Sequence, residues 1–598
     1  MHVDRVRSRH TLRSGETREY TSPLLRRSFR KPDGTVGKQT LANLSALPAA
    51  AVDAVEAVLK GTTLIEADAA LQVTRSLPHG HVALVAAQAA RLGLPQLLGP
   101  GCRERDLAYA LIVSRVVAPR PKSATLPWWA DVTLGPDLGV AGASPDEVYA
   151  AMDWLHARQD TIEAELARRH LTADQRGDDQ RGDDQRGDDQ RGDDQRGAIA
   201  MFDLSSSWVE GSCCPLAGRG YSRDGKKGKA QIEYGLLTDR VGRPVAIRVF
   251  PGNTADPAAF IEAVEVVRTK FEIDELTLVG DRGMITSARI DALRELGGLS
   301  WITCLRAPAI KALAAEDGPL QMSLFDAQDL AEISHPDYPG ERLIACRNPA
   351  LAQLRAAKRE SLLTATEALL DKITIRVREG RLAGADAIGV AVGKVIDKYK
   401  MAKHLTYRIT DTTLTVTRDQ AAIAAEAALD GVYVIRTSVP ATRLDAPATV
   451  EAYKRLSHLE RDFRNIKIDD LDLRPIHHYL PDRVRGHMLI CMLAQYLVWH
   501  LRRALAPLTY TDEHPPARDN PVAPAARSAH ADRKAARHTT EDRQPVRSFR
   551  GLLDHLATLT RNTITIGDRT FEKISTPTQT QQRAFDLLGA SIPLTLTS

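Results

Sequence analysis

The stretch that most constrains this 598-residue chain runs from residue 198 to 305. Three apolar, β-prone runs come first, at 198–204, 231–238 and 244–250. Helical periodicity follows over 257–270, then a strand at 276–280, a helix at 287–296 and a strand at 300–305. Period-two and buried runs predict strands, and period-3.6 runs predict helices. Asp239-Arg240-Val241-Gly242 supplies a hairpin turn between the second and third strands.

Two of these strands end in acid. Asp203 closes Ala198-Ile199-Ala200-Met201-Phe202, and Asp281 closes Leu276-Thr277-Leu278-Val279-Gly280 before Arg282-Gly283. A carboxylate at the end of a buried strand is costly to desolvate unless a positive charge pairs with it. A third acid, Glu460, lies in the helical stretch 453–467. Two strand ends and a helical Glu make an oxygen-rich set of the kind that holds divalent metal, usually Mg²⁺. Three strands followed by helix–strand–helix–strand is the order of a ribonuclease H-like α/β fold, which is the fold expected here.

At about 100° per residue, helix positions seven apart return to within about 20° of each other. A continuous helix would therefore align Tyr453, Glu460 and Lys467 in one stripe, with Arg464 beside it. A carboxylate flanked by a phenol and two cations suits a phosphodiester: the carboxylate holds metal and the cations neutralise phosphate. Rival acids are Glu210 and Asp224 in loops, Asp256 as a helix cap before Pro257, and Asp462, about 160° from Glu460. His458 also falls off the stripe.

These residues resemble a known family. Tyr453, Glu460 and Lys467 match the Tyr-x₂-Arg-x₃-Glu-x₆-Lys signature of DDE transposases of the insertion-sequence-4 group. The block Leu278-Val279-Gly280-Asp281-Arg282-Gly283-Met284-Ile285 and the segment 220–253 are similar to that group. Leu24-Leu25-Arg26-Arg27-Ser28-Phe29-Arg30, Ala42-Asn43-Leu44-Ser45-Ala46-Leu47-Pro48 and Asp430-Gly431-Val432-Tyr433-Val434-Ile435-Arg436-Thr437 resemble its insertion-sequence-1634 subgroup. The resemblance covers most of residues 1–505, with one departure: the signature Arg falls at Leu456.

The resemblance implies a transposase that binds terminal inverted repeats and carries out metal-dependent DNA cleavage and strand transfer. Asp203, Asp281 and Glu460 would be its catalytic and metal-binding residues, holding two Mg²⁺ ions with Mn²⁺ as a substitute. Tyr453, Arg464 and Lys467 would contact DNA. It further implies double-stranded DNA as partner, at both element ends and target, and a homodimer in the DNA complex. The alternatives are a decayed protein that only binds element ends and a nuclease that cuts without joining.

The rest of the sequence is compatible with this. Residues 1–40 carry ten Lys or Arg against four Asp or Glu, a basic arm. No CxxC pair occurs among the six cysteines, which argues against a zinc ribbon and fits a reducing cytoplasm, where the protein would associate with the nucleoid when on DNA. The first residues are polar and basic, unlike a signal peptide. The longest apolar run, 488–501, is too short to span a bilayer and reads as a core helix.

The expected organisation is a basic arm and small strand region at 1–60 and a mainly helical DNA-end-binding domain at 61–173. A linker at 174–197 follows, with Gln-Arg-Gly repeating every five residues from 175. The catalytic core occupies 198–305 and 448–507, interrupted by a strand-rich insertion at 306–447. Residues 508–545 read as disordered, and 546–598 as a tail with a short helix and a hairpin.

Overall fold

The structure is a computed structural model describing residues 1–11, 17–62, 71–171, 198–254, 261–262, 264–265, 269–271, 273, 275–518, 520–567 and 569–596. The pentapeptide repeat lies outside the described residues, as does much of the helix expected over 257–270. The chain divides into two compact units. The first comprises Met1–Leu77 and Thr560–Ser575, the second Pro78–Leu559 and Thr576–Ser598.

In the first unit, β1 (His2–Thr11), β2 (Thr17–Arg30) and β3 (Val36–Asn43) form an antiparallel sheet, and helix Ala49–Leu59 packs on β1. The expected C-terminal hairpin, Thr560–Ile566 and Arg569–Ile574, joins β4 (Leu71–Pro78) in a second three-stranded sheet.

The second unit is built on one eight-stranded sheet. Its first strands are β5 (Ala198–Trp208), β6 (Gln231–Asp239), β7 (Pro244–Pro251), β8 (Leu276–Val279) and β9 (Leu299–Cys304). Next come β10 (Leu330–Ile333) and β11 (Arg342–Arg347), then a separate hairpin of β12 (Leu405–Ile409) and β13 (Leu414–Arg418), and last β14 (Val432–Thr437). The sheet order is β10-β11-β14-β9-β8-β5-β6-β7. β5, β8 and β9 run parallel, and β5, β6 and β7 are antiparallel neighbours. Parallel strands need a crossover, and helix Ser287–Leu296 lies between β8 and β9 in the chain.

The segment 306–447 divides its roles. Three of its strands, β10, β11 and β14, extend the main sheet through β14 against β9. Helices Pro349–Arg378 and Ala385–Tyr399 pack with the β12–β13 hairpin around Leu363, Leu370, Ile373, Ile388, Val392, Leu405 and Leu414.

Helix Pro481–Ala504 is the central support. Residues 488–494 are fully or almost fully buried, the core helix the apolar run predicts. Helices Gly80–Arg91, Arg103–Val117 and Pro145–Ala157 pack against it. A Cβ on Gly486 would meet the Met152 carbonyl oxygen at 2.8 Å, so these helices cross at close range. The sequence reading set 61–173 apart as a domain, yet from residue 78 onward these helices share one unit with the sheet. Their apolar faces are covered by the 481–504 helix, a pairing that periodicity alone does not reveal.

Within 508–545, expected to be disordered, the described residues include ordered structure. Helix Ala529–Arg537 lies here, and the buried Lys534 donates to the Ala506 and Thr511 carbonyls. Among the described residues, no helix is long and apolar enough to cross a membrane.

Candidate active site

The parallel register of β5 and β8 builds the site. Met201 pairs with Val279, the last pair between the two strands; Asp203 lies two residues further along β5, and Asp281 two residues past the end of β8. β8 ends at Val279 while β5 runs on to Trp208. Asp203 is therefore not at the end of its strand, as the apolar run suggested. It sits where the flanking strand stops. The run Leu204-Ser205-Ser206-Ser207 continues as buried strand because its hydroxyls find partners: Ser207 Oγ lies 3.0 Å from Tyr234 Oη, and Ser206 Oγ accepts from Arg223 N at 3.1 Å.

Asp203 is half-buried and takes one hydrogen bond from its neighbour's backbone, Leu204 N–H to Oδ1 at 2.8 Å. Burial pushes its carboxyl up to about 7; the negative charges of Asp281 and Glu460 push the same way, and the Arg223 charge opposes them. The other two acids singled out in the sequence thus both act electrostatically on Asp203. Asp281 is exposed at a tight turn, where its carbonyl accepts from Met284 N at 2.8 Å and Ile285 N at 3.1 Å.

Glu460 is exposed on helix Leu456–Arg464, which packs on β5 through the buried Leu459 and Phe463. Phe463 meets Tyr234 edge-on at 5.8 Å. The helix is not continuous with its neighbours. Tyr453 belongs to helix Ala446–Lys454, the chain turns at Arg455, and residues Asn465–Asp469 are π-helical. This corrects the single stripe expected from about 100° per residue, because a break and a wider turn reset the angle.

The stripe residues consequently diverge. Tyr453 is half-buried beside Cys304 at the end of β9, where burial and the nearby Cys304 and Asp281 charges raise its phenol above the usual range. Arg464 is exposed. Lys467 is buried, its ammonium 2.8 Å from Asp224 Oδ1. Leu456, in the place of the signature Arg, is half-buried, and Arg455 pairs with Glu451 at 3.3 Å. Asp462 points away from the three acids to Gln495, whose Nε2 donates to it at 2.8 Å. His458 is half-buried with its Cβ 3.0 Å from the Cβ position built on Gly242, at the β6–β7 turn.

Residues 205–497 match the family model described as the transposase DDE domain. That supports a DDE transposase. The match begins two residues after Asp203 and takes in Asp281, the insertion, Glu460 and most of the 481–504 helix. No curated protein matches the chain. A DDE transposase acts on DNA by phosphodiester cleavage and transfer, generally with divalent metal ions.

Among the described residues, no three His, Cys, Asp or Glu side chains are grouped closely enough to hold a metal ion as they stand. The donor chemistry nevertheless fits one. Three carboxylates are hard oxygen donors, and Asp203 is raised partly by the other two. A divalent cation would cancel that repulsion.

Sequence reading missed Arg223, whose charge Asp203 feels, and weighed Asp224 only as a rival acid in a loop, whereas it holds Lys467. Both lie in Gly220-Tyr221-Ser222-Arg223-Asp224-Gly225, a segment that stood out only through the resemblance.

Proposed function

We propose that the protein is the transposase of an insertion sequence, of the insertion-sequence-4 group and its 1634 subgroup, cutting DNA at terminal inverted repeats and joining the freed ends to target DNA. The observation that carries this is the electrostatic reach of Asp281 and Glu460 to Asp203, supported by a β5–β8 pairing that ends two residues before each Asp and by the Glu460 helix packed on β5. The sheet order β7-β6-β5-β8-β9, with β5, β8 and β9 parallel, supports reading the core as ribonuclease H-like.

In this reading Asp203, Asp281 and Glu460 are the catalytic acids and would hold two Mg²⁺ ions, or Mn²⁺ in their place. When bound, the metal would supply Lewis-acid stabilisation of the reacting phosphate and a nucleophile at neutral pH. The chain's own part is to fix the carboxylates on two strands and one packed helix, so that little reorganisation remains. Arg464, exposed four residues beyond Glu460, contacts a phosphate, and Tyr453 borders the strand on the Cys304 side. Two copies would assemble on paired ends.

The test separates cutting from joining on a DNA fragment that carries the element's ends. Wild type should do both in Mg²⁺. Asp281→Asn should do neither while binding the fragment as wild type does. Cleavage by Asp281→Asn at a comparable rate would remove Asp281 from the site. Cutting without joining by wild type would make the protein a nuclease, and binding without either would make it an end-binding protein.

A further inference from the structure

The loop between β5 and β6 is held at three places. At its base, Gly218 N donates to Gln231 O at 3.0 Å and Gln231 N to Gly218 O at 2.9 Å. A Cβ on Gly220 would lie 2.3 Å from the Gly252 carbonyl oxygen, so the chain passes where only glycine fits. In the middle, Asp224 Oδ1 accepts from Lys467 Nζ at 2.8 Å and from Arg474 Nη1 at 2.6 Å. This trio is internal: the Asp224 side chain is 1 % exposed and that of Lys467 10 %. The second oxygen, Oδ2, is buried with no hydrogen-bond partner.

What the loop carries is cationic. Residues 219–229 include Arg219, Arg223, Lys226, Lys227 and Lys229 against the single acid Asp224, and that acid is spent on the interior pair. Arg219 and Lys227 are exposed, Lys226 Nζ stands 5.2 Å from the Trp208 ring centre, and Tyr221 is 82 % exposed. The loop lies beside the acids, since Arg223 N bonds Ser206, three residues beyond Asp203 on the same strand.

We propose that Lys467 acts inside the protein as a positioning residue, latching the 219–229 loop through Asp224, and that this loop grips the phosphodiester backbone of DNA next to the carboxylates. The proposal rests on the transposase reading for its ligand. The π-helical turn at 465–469 is what directs Lys467 inward. An internal ammonium bound to a buried carboxylate is not available to a phosphate, whereas exposed Arg219 and Lys227 are.

The experiment uses the full chain with two readouts. One is the rate of trypsin cleavage within 219–229 without DNA. The other is the affinity for a fluorescent duplex that carries no element end, over a range of salt concentrations. Lys467→Met and Asp224→Asn should each raise loop cleavage about tenfold and weaken duplex binding. Lys467→Arg, which keeps the charge, should restore much of both. The Arg219→Ala, Lys227→Ala double variant lies on the surface and should fold normally. It should leave the remaining loop sites cut at the wild-type rate and lower the slope of log affinity against log salt by about two.

Asp224→Asn decides between the latch and a lysine that touches DNA. Removing a negative charge from the neighbourhood of DNA strengthens binding if Lys467 is free to meet a phosphate, and weakens it if the loop is lost. Tighter binding by Asp224→Asn, or wild-type loop cleavage in both Lys467→Met and Asp224→Asn, overturns the latch. An unchanged salt slope in the double variant overturns the loop's contact with DNA. Should wild type bind no duplex, the transposase reading fails together with the DNA role of the loop, while trypsin still decides the latch.

Discussion

Glu163 and Asp203 are both carboxylates against the main sheet, and they are treated in opposite ways. Glu163, on helix Gln159–His170, is fully buried and fully answered. Arg248 pairs with it, Ile247 N donates at 3.0 Å, and Gln159 Nε2 donates at 2.8 Å. Burial still raises its carboxyl, but every donor around it favours the charged form. Asp203 receives one backbone N–H and has two further carboxylates within electrostatic reach. A buried charge that is paired and hydrogen-bonded pins the fold. One left short of donors among like charges is a cost that folding alone does not repay, and such groups gather at functional sites.

The largest test of this contrast is on chemistry. Asp203→Asn should lower cleavage of end-bearing DNA by more than about 100-fold, since even outer-shell partners of a metal contribute about 10–100-fold. Glu163→Gln, assayed well below its melting temperature, should stay within about threefold of wild type. Equal losses in the two variants would erase the distinction.

The contrast was half visible in the sequence. β5 to β9 were legible because buried strands must be apolar, and the hairpin turn because Asp239 and Gly242 suit it. Asp239 accepts from Val241 N at 3.1 Å and Arg243 N at 2.7 Å, and Gly242 has φ +90°. The acids were legible as exceptions within apolar runs. Other features depend on distant partners. The serines that prolong β5 look polar until Tyr234 and Arg223 meet two of them. The break at Arg455 has no Gly or Pro to announce it. Lys534 orders a charged segment by finding carbonyls in residues 506–511. Glu163 itself reads as one more charge on a helix, because its partners Ile247 and Arg248 lie about 85 positions away.

Stability should divide the pair next. Glu163→Gln takes the nearer of two counter-charges from the partly buried Arg248, leaving Asp160 at 3.4 Å, and breaking a buried pair costs about 3–5 kcal/mol. Asp203→Asn removes a charge that is poorly paired and should cost nothing, or stabilise slightly. Urea unfolding of both variants at pH 7.5 in EDTA measures this. A loss of about 3 kcal/mol in Asp203→Asn would mean that Asp203 is a structural group after all.

A smaller effect is expected from pH. In the folded protein Asp203 keeps its proton up to about 7, while in the unfolded chain it gives it up near the ordinary carboxylate value of about 3.9. Between those values the folded state binds more protons, so raising pH favours unfolding. Below the window both states are protonated and above it both are ionised. Allowing for its partial exposure, Asp203 should account for about 2 kcal/mol of stability lost between pH 4 and pH 7 in EDTA. Asp462, raised to about 8 by burial, acts in the same direction. The difference between wild type and Asp203→Asn isolates the Asp203 part, and parallel pH profiles for the two proteins would show that Asp203 titrates normally.

The smallest predicted effect joins the pH result to the metal. If the repulsion among Asp203, Asp281 and Glu460 is what a divalent cation relieves, the cation should bind folded protein in preference to unfolded chain. At a free Mg²⁺ or Mn²⁺ concentration ten times Kd, this linkage is worth about 1.4 kcal/mol. The gain should grow as pH rises toward 7, because the ion competes with the proton on Asp203. It should be much reduced in Asp203→Asn and in Glu460→Gln, and unchanged in Glu163→Gln, since the wild-type Glu163 carboxylate is already filled by Arg248, Ile247 and Gln159. The readout is a melting temperature without DNA, so it does not depend on the reaction. An equal rise in Asp203→Asn would place the bound cation elsewhere on the protein. The underfilled carboxylate would then have to be explained by Arg223, whose charge lowers it.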